Sequence, residues 1–370
     1  MPTIKLEAVE LIHAKLPLVS PFETSFGRAD QRELIILKAF ADGLVGYGES
    51  VPMAFYSYET TQTAWHILRD YAIPAVLREP LSAPQEAAER MRFVRGHPLA
   101  RAGLELAVWD IFAKAQNISL RELLGGVRER VPVGVSIGIQ PTIDGLVKVV
   151  GQHVASGYQR IKIKIKPGYD FEPLSAVRQA FPTIKMMADA NSAYRLEDAP
   201  TLKKLDALNL MMIEQPLDYD DIFDHAQLQR QLTTPICLDE SIHTFQHARH
   251  ALEMDSGRII NMKVGRVGGY TEAKAIHDLC LSRNIPVWCG GMLESGVGRA
   301  HNLALSSLPG FTLPGDVSAS EHYYHEDIVD PPAVLEPDGT IKVPQNGSGI
   351  GVTLRKDVLA RYTLATERVS

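Results

Sequence analysis

Isoleucine and lysine alternate along residues 160–166, which read Arg-Ile-Lys-Ile-Lys-Ile-Lys and stand before a Pro-Gly pair. Strict alternation of a β-branched residue with a polar one predicts a β-strand, and Pro-Gly ends such a strand abruptly. The side chains of Lys162, Lys164 and Lys166 then project from one face, because successive side chains of a strand point to opposite sides. By itself the pattern is typical of an amphipathic strand with a solvated lysine face, since lysine is rarely buried.

Four apolar runs follow this strand, and each ends in a charged residue. These residues are Asp189, Glu214, Asp239 and Lys263, and they are spaced 25, 25 and 24 positions apart. Each interval fits one strand-loop-helix-loop unit, the repeat of a parallel barrel. The C-terminal ends of successive strands in such a barrel converge on one mouth, where the active site lies. We therefore predict that the lysines of the first strand, the three carboxylates and Lys263 form a ring, because solvated side chains would not share this spacing.

The first part of the chain, residues 1–127, is predicted to form a separate α+β domain. Its strand-like runs cover residues 4–16, 33–40 and 44–48, and its helical segments cover 60–77, 84–93 and 101–116. The last of these helices is apolar nearly all round, which predicts that it is buried between two domains. A Gly-Gly pair at 125–126 then stops the helical region and marks the boundary.

Two connections in this domain, residues 17–22 and 51–58, are apolar and aromatic where a plain surface loop would be polar. They contain Phe22 and Tyr56. The residues themselves support two interpretations equally. Each loop either covers packed side chains or forms a lid over a pocket.

Residues 128–325 are predicted to form a TIM-like barrel. Further strands of this barrel are expected at residues 131–138, 285–291 and, for a short eighth strand, 311–313. Ser136 lies near the end of the first of them. The backbone amides of the glycine-rich segment 292–298 could meet an anion, although a close-packed turn explains the glycines equally well. The remaining residues, 326–370, are expected to pack back on the N-terminal domain.

Composition narrows the class of protein. The 370 residues include 38 basic and 44 acidic ones, and this net charge of −6 argues against a nucleic-acid-binding surface. No 18-residue apolar stretch is present and residues 1–7 lack the apolar core of a signal peptide, so we expect no membrane association and a cytoplasmic location. The three cysteines, Cys237, Cys280 and Cys289, are typical of reduced, buried thiols. We also expect a homo-oligomer that acts on a small molecule.

The predicted ring permits a specific chemistry. Three carboxylate ligands, with water in the remaining positions, suit a hard divalent cation, Mg²⁺ first and Mn²⁺ second. Such an ion would polarise a bound carboxylate and stabilise the enediolate made when its α-proton is removed. Lys164 and Lys263 should approach the α-carbon from opposite sides, and the cation should lower the pKa of the lysine that acts as the base. Two opposed bases allow racemisation, whereas one base with an electrostatic partner allows β-elimination. Lys162 would then be an auxiliary cation.

These motifs resemble those of the enolase superfamily, in its muconate-lactonising subgroup, over essentially the whole chain. The matching motifs are Ala-Asp-Ala-Asn-Ser-Ala-Tyr at 188–194, Ile-Glu-Gln-Pro-Leu at 213–217, Leu-Asp-Glu-Ser at 238–241, Asn-Met-Lys-Val-Gly-Arg at 261–266 and Gly-Gly-Met-Leu-Glu-Ser-Gly at 290–296. The resemblance implies an α/β fold, a modified TIM barrel of the (β/α)7β type, with an α+β capping domain that the C-terminal segment completes. It also implies Mg²⁺ bound by Asp189, Glu214 and Asp239, with Lys164 and Lys263 as the acid/base pair.

Within the subgroup, the chain resembles o-succinylbenzoate synthases that also racemise N-acylamino acids. Asp316-x-Ser318 stands where dipeptide epimerases of the subgroup typically place Asp-x-Asp to hold a free α-ammonium, which points to an acylated or ammonium-free substrate. The resemblance implies dehydration of the menaquinone precursor to o-succinylbenzoate, racemisation of N-succinylamino acids, or both. It implies that the loops at 17–22 and 51–58 form a lid. The predicted substrate contacts are Phe22, Tyr56, Ser136, Asn191, Met292 and Leu293.

Two other functions compete with this prediction. One is a different enzyme of the subgroup, a muconate cycloisomerase or a dipeptide epimerase. The other is a non-catalytic Mg²⁺-binding scaffold, which would be expected to lack a base or a ligand. All five polar positions of the ring are filled in this sequence, which favours an enzyme.

Overall fold

The computed structural model describes residues 2–345 and 347–370, and two β-sheets organise it. One is an antiparallel sheet of four strands, and the other is a parallel sheet of seven strands. Two smaller, two-stranded sheets involve residues from the C-terminal part of the chain.

The antiparallel sheet is built on a long hairpin. Its N-terminal strands are β1 (Ala8–Thr24), β2 (Gly27–Ala41) and β3 (Leu44–Ser50). Side chains of β2 alternate between two apolar clusters. Leu34 and Ile36 pack with the barrel, whereas Ile35 and Leu37 pack with the helices of the N-terminal domain. The sheet is therefore buried on both faces, and its packing is continuous with the barrel core.

Five helices follow the hairpin: α1 (Thr61–Ile67), α2 (Ile73–Leu77), α3 (Glu86–Arg90), α4 (Pro98–Ala115) and α5 (Leu120–Leu124). A π-helical turn at Leu68–Ala72 joins α1 to α2, so the predicted helical segment at 60–77 is confirmed. Helix α4 is buried along most of its length, as its sequence predicts. It lies so close to β3 that a Cβ added at Gly48 would stand 2.0 Å from the carbonyl oxygen of Gly103.

The segment at 17–22 differs from its prediction as a loop, because it lies inside β1. The strand pairs with β2 on both sides of an irregularity between Pro17 and Phe22. Proline has no N–H to donate to the ladder, which explains the break in pairing at this point. Phe22 is therefore carried on a hairpin arm.

The parallel sheet contains the predicted charged residues at or just beyond its strand ends. Its strands are β5 (Val135–Ile137), β6 (Ile161–Lys164), β7 (Met186–Asp189), β8 (Ile213–Glu214), β9 (Ile236–Leu238), β10 (Ile259–Met262) and β11 (Val287–Cys289), with β4 (Arg130–Pro132) preceding them outside the sheet. Each strand pairs with the next one along the chain, in the order β11-β10-β9-β8-β7-β6-β5. The helices of this region are α6 (Ile143–Ala155), α7 (Phe171–Ala180), α8 (Ala199–Lys204), α9 (Phe223–Gln229), α10 (Phe245–Met254), α11 (Tyr270–Ser282) and α12 (Gly296–Ser306).

Two strand predictions need correction. The strand expected at 131–138 is split into β4 and β5, and the eighth strand expected at 311–313 does not form. At the latter position Phe311 makes one isolated parallel bridge with Val287. The N–H groups of Phe311 and Thr312 donate to the carbonyl oxygens of Leu308 and Gly310 in a local turn, so they are not available to a ladder.

The C-terminal part returns to both earlier regions. Its elements are α13 (Ser320–Tyr323), β12 (Val329–Asp330), β13 (Thr340–Lys342), β14 (Thr353–Leu354), α14 (Lys356–Tyr362) and β15 (Thr363–Val369). Strand β13 pairs with β4 beside the barrel, and β15 pairs with β1 at the edge of the antiparallel sheet. The predicted domain boundaries at 127 and 325 stay a prediction.

Among the helices that the structure describes, none has the length and apolar content needed to cross a membrane. The side chains of Cys237, Cys280 and Cys289 are buried free thiols.

Substituting Gly48 with alanine is expected to lower the free energy of unfolding by about 1–3 kcal/mol, because the new methyl group would force β3 and α4 apart. Gly27→Ala is the matched control, since nothing lies within 4 Å of a Cβ at that position. Urea denaturation of both variants measures the difference. Equal stability of the two would contradict the close approach of helix and strand.

Candidate active site

The predicted ring forms at the C-terminal ends of the parallel strands. Lys164 lies directly opposite Asp189 on the neighbouring strand, and Asp189 lies opposite Glu214. Asp239 and Lys263 each follow the last residue of their strands, β9 and β10. All five side chains are buried, with Lys164 and Lys263 only 6% exposed. The lysine face of β6 is therefore an interior face at these positions.

Lys164 is held by two acceptors at one end of the ring. Its Nζ donates to Oδ2 of Asp189 at 2.6 Å and to Oδ1 of Asn191 at 2.7 Å. Asn191 has a left-handed backbone, with φ of 41°, and its amide Nδ2 donates to Glu240 at 2.9 Å. Glu240 was not predicted as part of the site, although it directly follows Asp239 in the Leu-Asp-Glu-Ser motif.

Lys263 is held at the other end. Its Nζ donates to Oδ2 of Asp239 at 2.7 Å and to Oη of Tyr56 at 3.3 Å. The Tyr56 hydroxyl in turn donates to Oδ1 of Asp239 at 2.9 Å. Arg266 pairs with the same carboxylate and was also missed as a site residue, although it stands in the Lys-Val-Gly-Arg motif. Tyr56, from the loop at 51–58, thus reaches the floor of the site.

Lys162 occupies the middle of the ring, where it contacts three carboxylates. Its Nζ lies 3.0 Å from Asp189, 3.0 Å from Glu214 and 2.7 Å from Asp316. Burial alone would lower the pKa of Lys162, but these carboxylates outweigh it and raise the pKa well above its usual value. Lys162 is therefore a fixed positive charge.

The pKa of Lys263 is governed by its contact with Asp239. Burial acts to lower the pKa of Lys263, yet the carboxylate of Asp239 raises it above its usual value. Neutralisation of Asp239 by another cation would remove the charge that holds this proton.

The carboxylates of Asp189, Glu214 and Asp239 fit Mg²⁺ in their chemistry, because they offer only oxygen donors. Burial, followed by the charge of Asp189, raises the pKa of Glu214 well above its usual value, so these groups repel one another. A divalent cation would relieve that repulsion. In the structure each carboxylate is paired with a lysine, and in the described part of the chain no three His, Cys, Asp or Glu side chains are placed to hold one ion. Metal binding therefore requires the ammonium groups to move aside.

A cavity of about 340 Å³ lies above the ring. Lys162, Lys164 and Lys263 face it from the barrel. All six predicted substrate contacts also line it: Phe22, Tyr56, Ser136, Asn191, Met292 and Leu293. The structure thus brings every predicted site residue to one place, with the three carboxylates beneath the lysines.

Asp316 faces the same cavity but is already paired. Nη2 of Arg160 and Nζ of Lys162 each lie 2.7 Å from its carboxylate, and Ser136 Oγ donates to it at 3.3 Å. Ser136 stands in a Gly-x-Ser-x-Gly sequence, yet it lies within strand β5 and not on the exposed turn that an acyl-transfer nucleophile needs. Arg160 was not predicted to have this role. It directly precedes the Ile/Lys run, and nothing near it in the sequence indicates that it pairs with Asp316.

Four of the seven amides at 292–298, those of Met292, Ser295, Gly296 and Gly298, donate to carboxylates of the protein itself. Glu49 accepts from the N–H groups of Ser295 at 2.9 Å and Gly298 at 2.8 Å. Asp327 accepts from the N–H of Gly296 at 2.8 Å. The glycines therefore serve close packing of α12, the second of the two interpretations left open by the sequence.

Two family descriptions match the chain. "Mandelate racemase / muconate lactonizing enzyme, N-terminal domain" matches residues 7–125, and "Enolase C-terminal domain-like" matches residues 146–358.

Similar proteins cover nearly the whole chain. It is 51% identical over 363 residues to the o-succinylbenzoate synthase of Geobacillus kaustophilus. This alignment covers 97% of this chain and 96% of that protein. It is 50% identical over 363 residues to the N-succinylamino acid racemase of Thermus thermophilus, with 98% of each covered. A crystal structure of an enolase superfamily member from Listeria innocua aligns with a TM-score of 0.95, 44% identity and 99% coverage of both chains. The predicted fold class, a modified barrel with an α+β capping domain, is therefore confirmed.

The contribution of Glu49 to stability is expected to fall as pH rises from about 5 to 7, because burial raises the pKa of this carboxyl to about 7 from a usual 4.5. The folded protein then holds this proton more tightly than the unfolded chain, and each such group contributes at most about 1.4 kcal/mol per pH unit. Burial raises the pKa of Glu59 to about 7 as well. Glu49→Gln should remove part of this dependence of the free energy of unfolding on pH, and adding Glu59→Gln should remove more of it. Urea unfolding at several pH values measures it, and an unchanged slope in the double variant would contradict the assignment.

Proposed function

Because this chain belongs to the enolase superfamily and is an enzyme of its mandelate racemase and muconate lactonizing enzyme group, we propose that it removes the α-proton of a carboxylate substrate. The observation that carries this proposal is the placement of Lys164 and Lys263. They stand on strands separated by the three carboxylate-bearing strands, and both face the cavity.

We propose that Asp189, Glu214 and Asp239 hold Mg²⁺, with Mn²⁺ as a substitute. A divalent cation bound there supplies positive charge that stabilises the enediolate left by loss of the α-proton. The oxygen-only donor set and the mutual repulsion of the carboxylates support this assignment.

Lys164 and Lys263, the lysines at the two ends of the ring, serve as the acid/base pair. A proton leaving the α-carbon is taken by Nζ of one lysine, while Nζ of the other faces the opposite side of the same carbon. Return of a proton from the second lysine inverts the centre, which is racemisation. When the second lysine instead stays charged, it supports a β-elimination. Lys162, surrounded by three carboxylates, remains charged and serves as an electrostatic partner.

The substrate is proposed to be acylated or to lack an ammonium group. Asp316, the carboxylate that could hold a free α-ammonium, is already neutralised by Arg160 and Lys162. This pairing disfavours a dipeptide epimerase. Together with the names of the similar proteins, it favours o-succinylbenzoate synthase activity, which serves menaquinone biosynthesis, N-succinylamino acid racemase activity, or both.

We further propose that the enzyme is a cytoplasmic homo-oligomer. Its three free, buried thiols, which are typical of a reducing compartment, support this location.

Lys164→Ala and Lys263→Ala are each expected to lower racemisation of N-succinyl-phenylalanine by about 10²- to 10⁴-fold, because each removes one of the two bases. Proton NMR in D₂O follows deuterium entry at the α-position for each enantiomer. Lys166→Ala is the matched control: it lies two residues beyond Lys164, and its side chain is 42% exposed. Loss of activity in the control, or its retention in both site variants, would contradict the two-base site.

Exchange at the α-position is expected to require Mg²⁺ and to stop on addition of EDTA, because the carboxylates otherwise pair with the lysines. Asp239→Asn should weaken Mg²⁺ binding, measured by calorimetry, in parallel with the loss of exchange. Full activity in EDTA would rule out the metal assignment.

Succinylated amino acids are expected to be processed at least about 100-fold better, by kcat/KM, than free dipeptides, because Asp316 has no charge left for an ammonium group. Assays of both classes, of the o-succinylbenzoate precursor and of muconate separate the possible activities. Preference for a dipeptide would indicate an epimerase, and turnover of muconate alone would indicate a cycloisomerase.

A further inference from the structure

Arg32, on β2, has a buried guanidinium that donates hydrogen bonds to backbone carbonyls from two separate parts of the chain. Its Nε donates to the carbonyl oxygen of Met292 at 3.0 Å. Its Nη1 and Nη2 donate to the carbonyl oxygens of Pro52 at 2.9 Å and Val51 at 2.5 Å. The side chain is 3% exposed and lines the cavity.

No carboxylate forms an ion pair with Arg32 among the residues that the structure describes. Glu33, its neighbour, pairs with Lys15 and His13 on the other side of the strand. Glu294, which is close in space, accepts from the N–H of Met292. The direct hydrogen-bond partners of the guanidinium are therefore carbonyl oxygens, which are neutral dipoles, and none is a carboxylate. A planar guanidinium can reach several acceptors at once, which a single ammonium cannot.

The segment at 51–58 is one of the two parts that Arg32 joins. Both of its ends are fixed on the N-terminus of α4. Ser50 Oγ donates to the carbonyl oxygen of Leu99 at 2.8 Å, and Glu59 accepts from the N–H groups of Leu99 and Ala100 at 2.8 and 2.9 Å. Between these ends, Arg32 contacts the first two residues, and Tyr56 reaches down to the ring.

The loop at Met292 and Leu293 is the other part. Leu293 has a left-handed backbone, with φ of 57°, which is unusual for this residue type. Tyr324 Oη donates to the carbonyl oxygen of Leu293 at 2.5 Å, and Glu294 Oε2 accepts from the N–H of Met292 at 2.7 Å. The barrel thus fixes this loop by itself, and Arg32 extends the fixed point to the segment at 51–58.

We propose that Arg32 is a positioning residue that ties the segment at 51–58 to the loop at Met292, so that two walls of the cavity keep one fixed separation. It touches neither the ring nor the α-carbon. The inference rests on the proposed function, because it takes the cavity as the substrate site. Its loss should weaken substrate binding more than it slows the chemical step, since the lysines and carboxylates are held by other strands.

The test compares Arg32→Met with wild type by hydrogen exchange and by kinetics. Amide exchange in peptides covering 51–58 and 289–295 is expected to speed up together by about tenfold, because both lose their common anchor. KM for N-succinyl-phenylalanine should rise about tenfold while kcat falls less than KM rises. Arg32→Lys, which can keep one of the three carbonyl contacts, should lie between the two, and it replaces Arg32→Met if that variant does not fold.

Arg178→Met is the matched control. Arg178, on α7, also donates to backbone carbonyls, those of Leu208, Ile184 and Asn209, but away from the cavity. It should lower stability without changing KM or exchange at either wall. A uniform rise in exchange in both arginine variants, or a change confined to one wall in Arg32→Met, would overturn the proposal. If wild type shows no activity, the function fails, while the joint exchange of the two segments still decides the role of Arg32.

Discussion

Buried charge is the constraint on which the rest of this structure depends. The interior and mouth of the barrel hold five basic and five acidic side chains, all of them buried. They are Arg160, Lys162, Lys164, Lys263, Arg266, Asp189, Glu214, Asp239, Glu240 and Asp316. An unpaired ion in such a place would cost several kcal/mol, so the strands must align opposite charges. The direct register of Lys164, Asp189 and Glu214 across β6, β7 and β8 meets that demand.

The same pairing sets a condition on the chemistry. Lys263 and Asp239 hold each other, and the pKa of Lys263 rises in consequence. In this arrangement the ammonium group of Lys263 and the carboxylate of Asp239 compensate each other's charge. A metal ion bound by the carboxylates, as proposed, would replace the ammonium groups as their partners. Lys162, with three carboxylates around it, is the least free to change.

The periodic features of the sequence predicted the ring well, because one parallel unit has a nearly constant length and its strand ends meet at one edge. Sequence could not show the pairs made across long separations, such as Arg160 with Asp316 or Arg32 with Met292. Neither residue has a neighbour in the chain that indicates its partner. The eighth strand fails to form for a local reason, since the N–H groups of Phe311 and Thr312 are used in a turn with Leu308 and Gly310.

The pairing of β15 with β1 gives the protein an order of assembly. Residues 363–369 are synthesised after the whole barrel, yet they complete the sheet that begins at residue 8. During translation, one edge of the hairpin that carries Phe22 and Arg32 stays unpaired until the residues after the barrel have been made. The edge of β1 at residues 9–14 therefore has no partner strand until the last residues of β15 have been made.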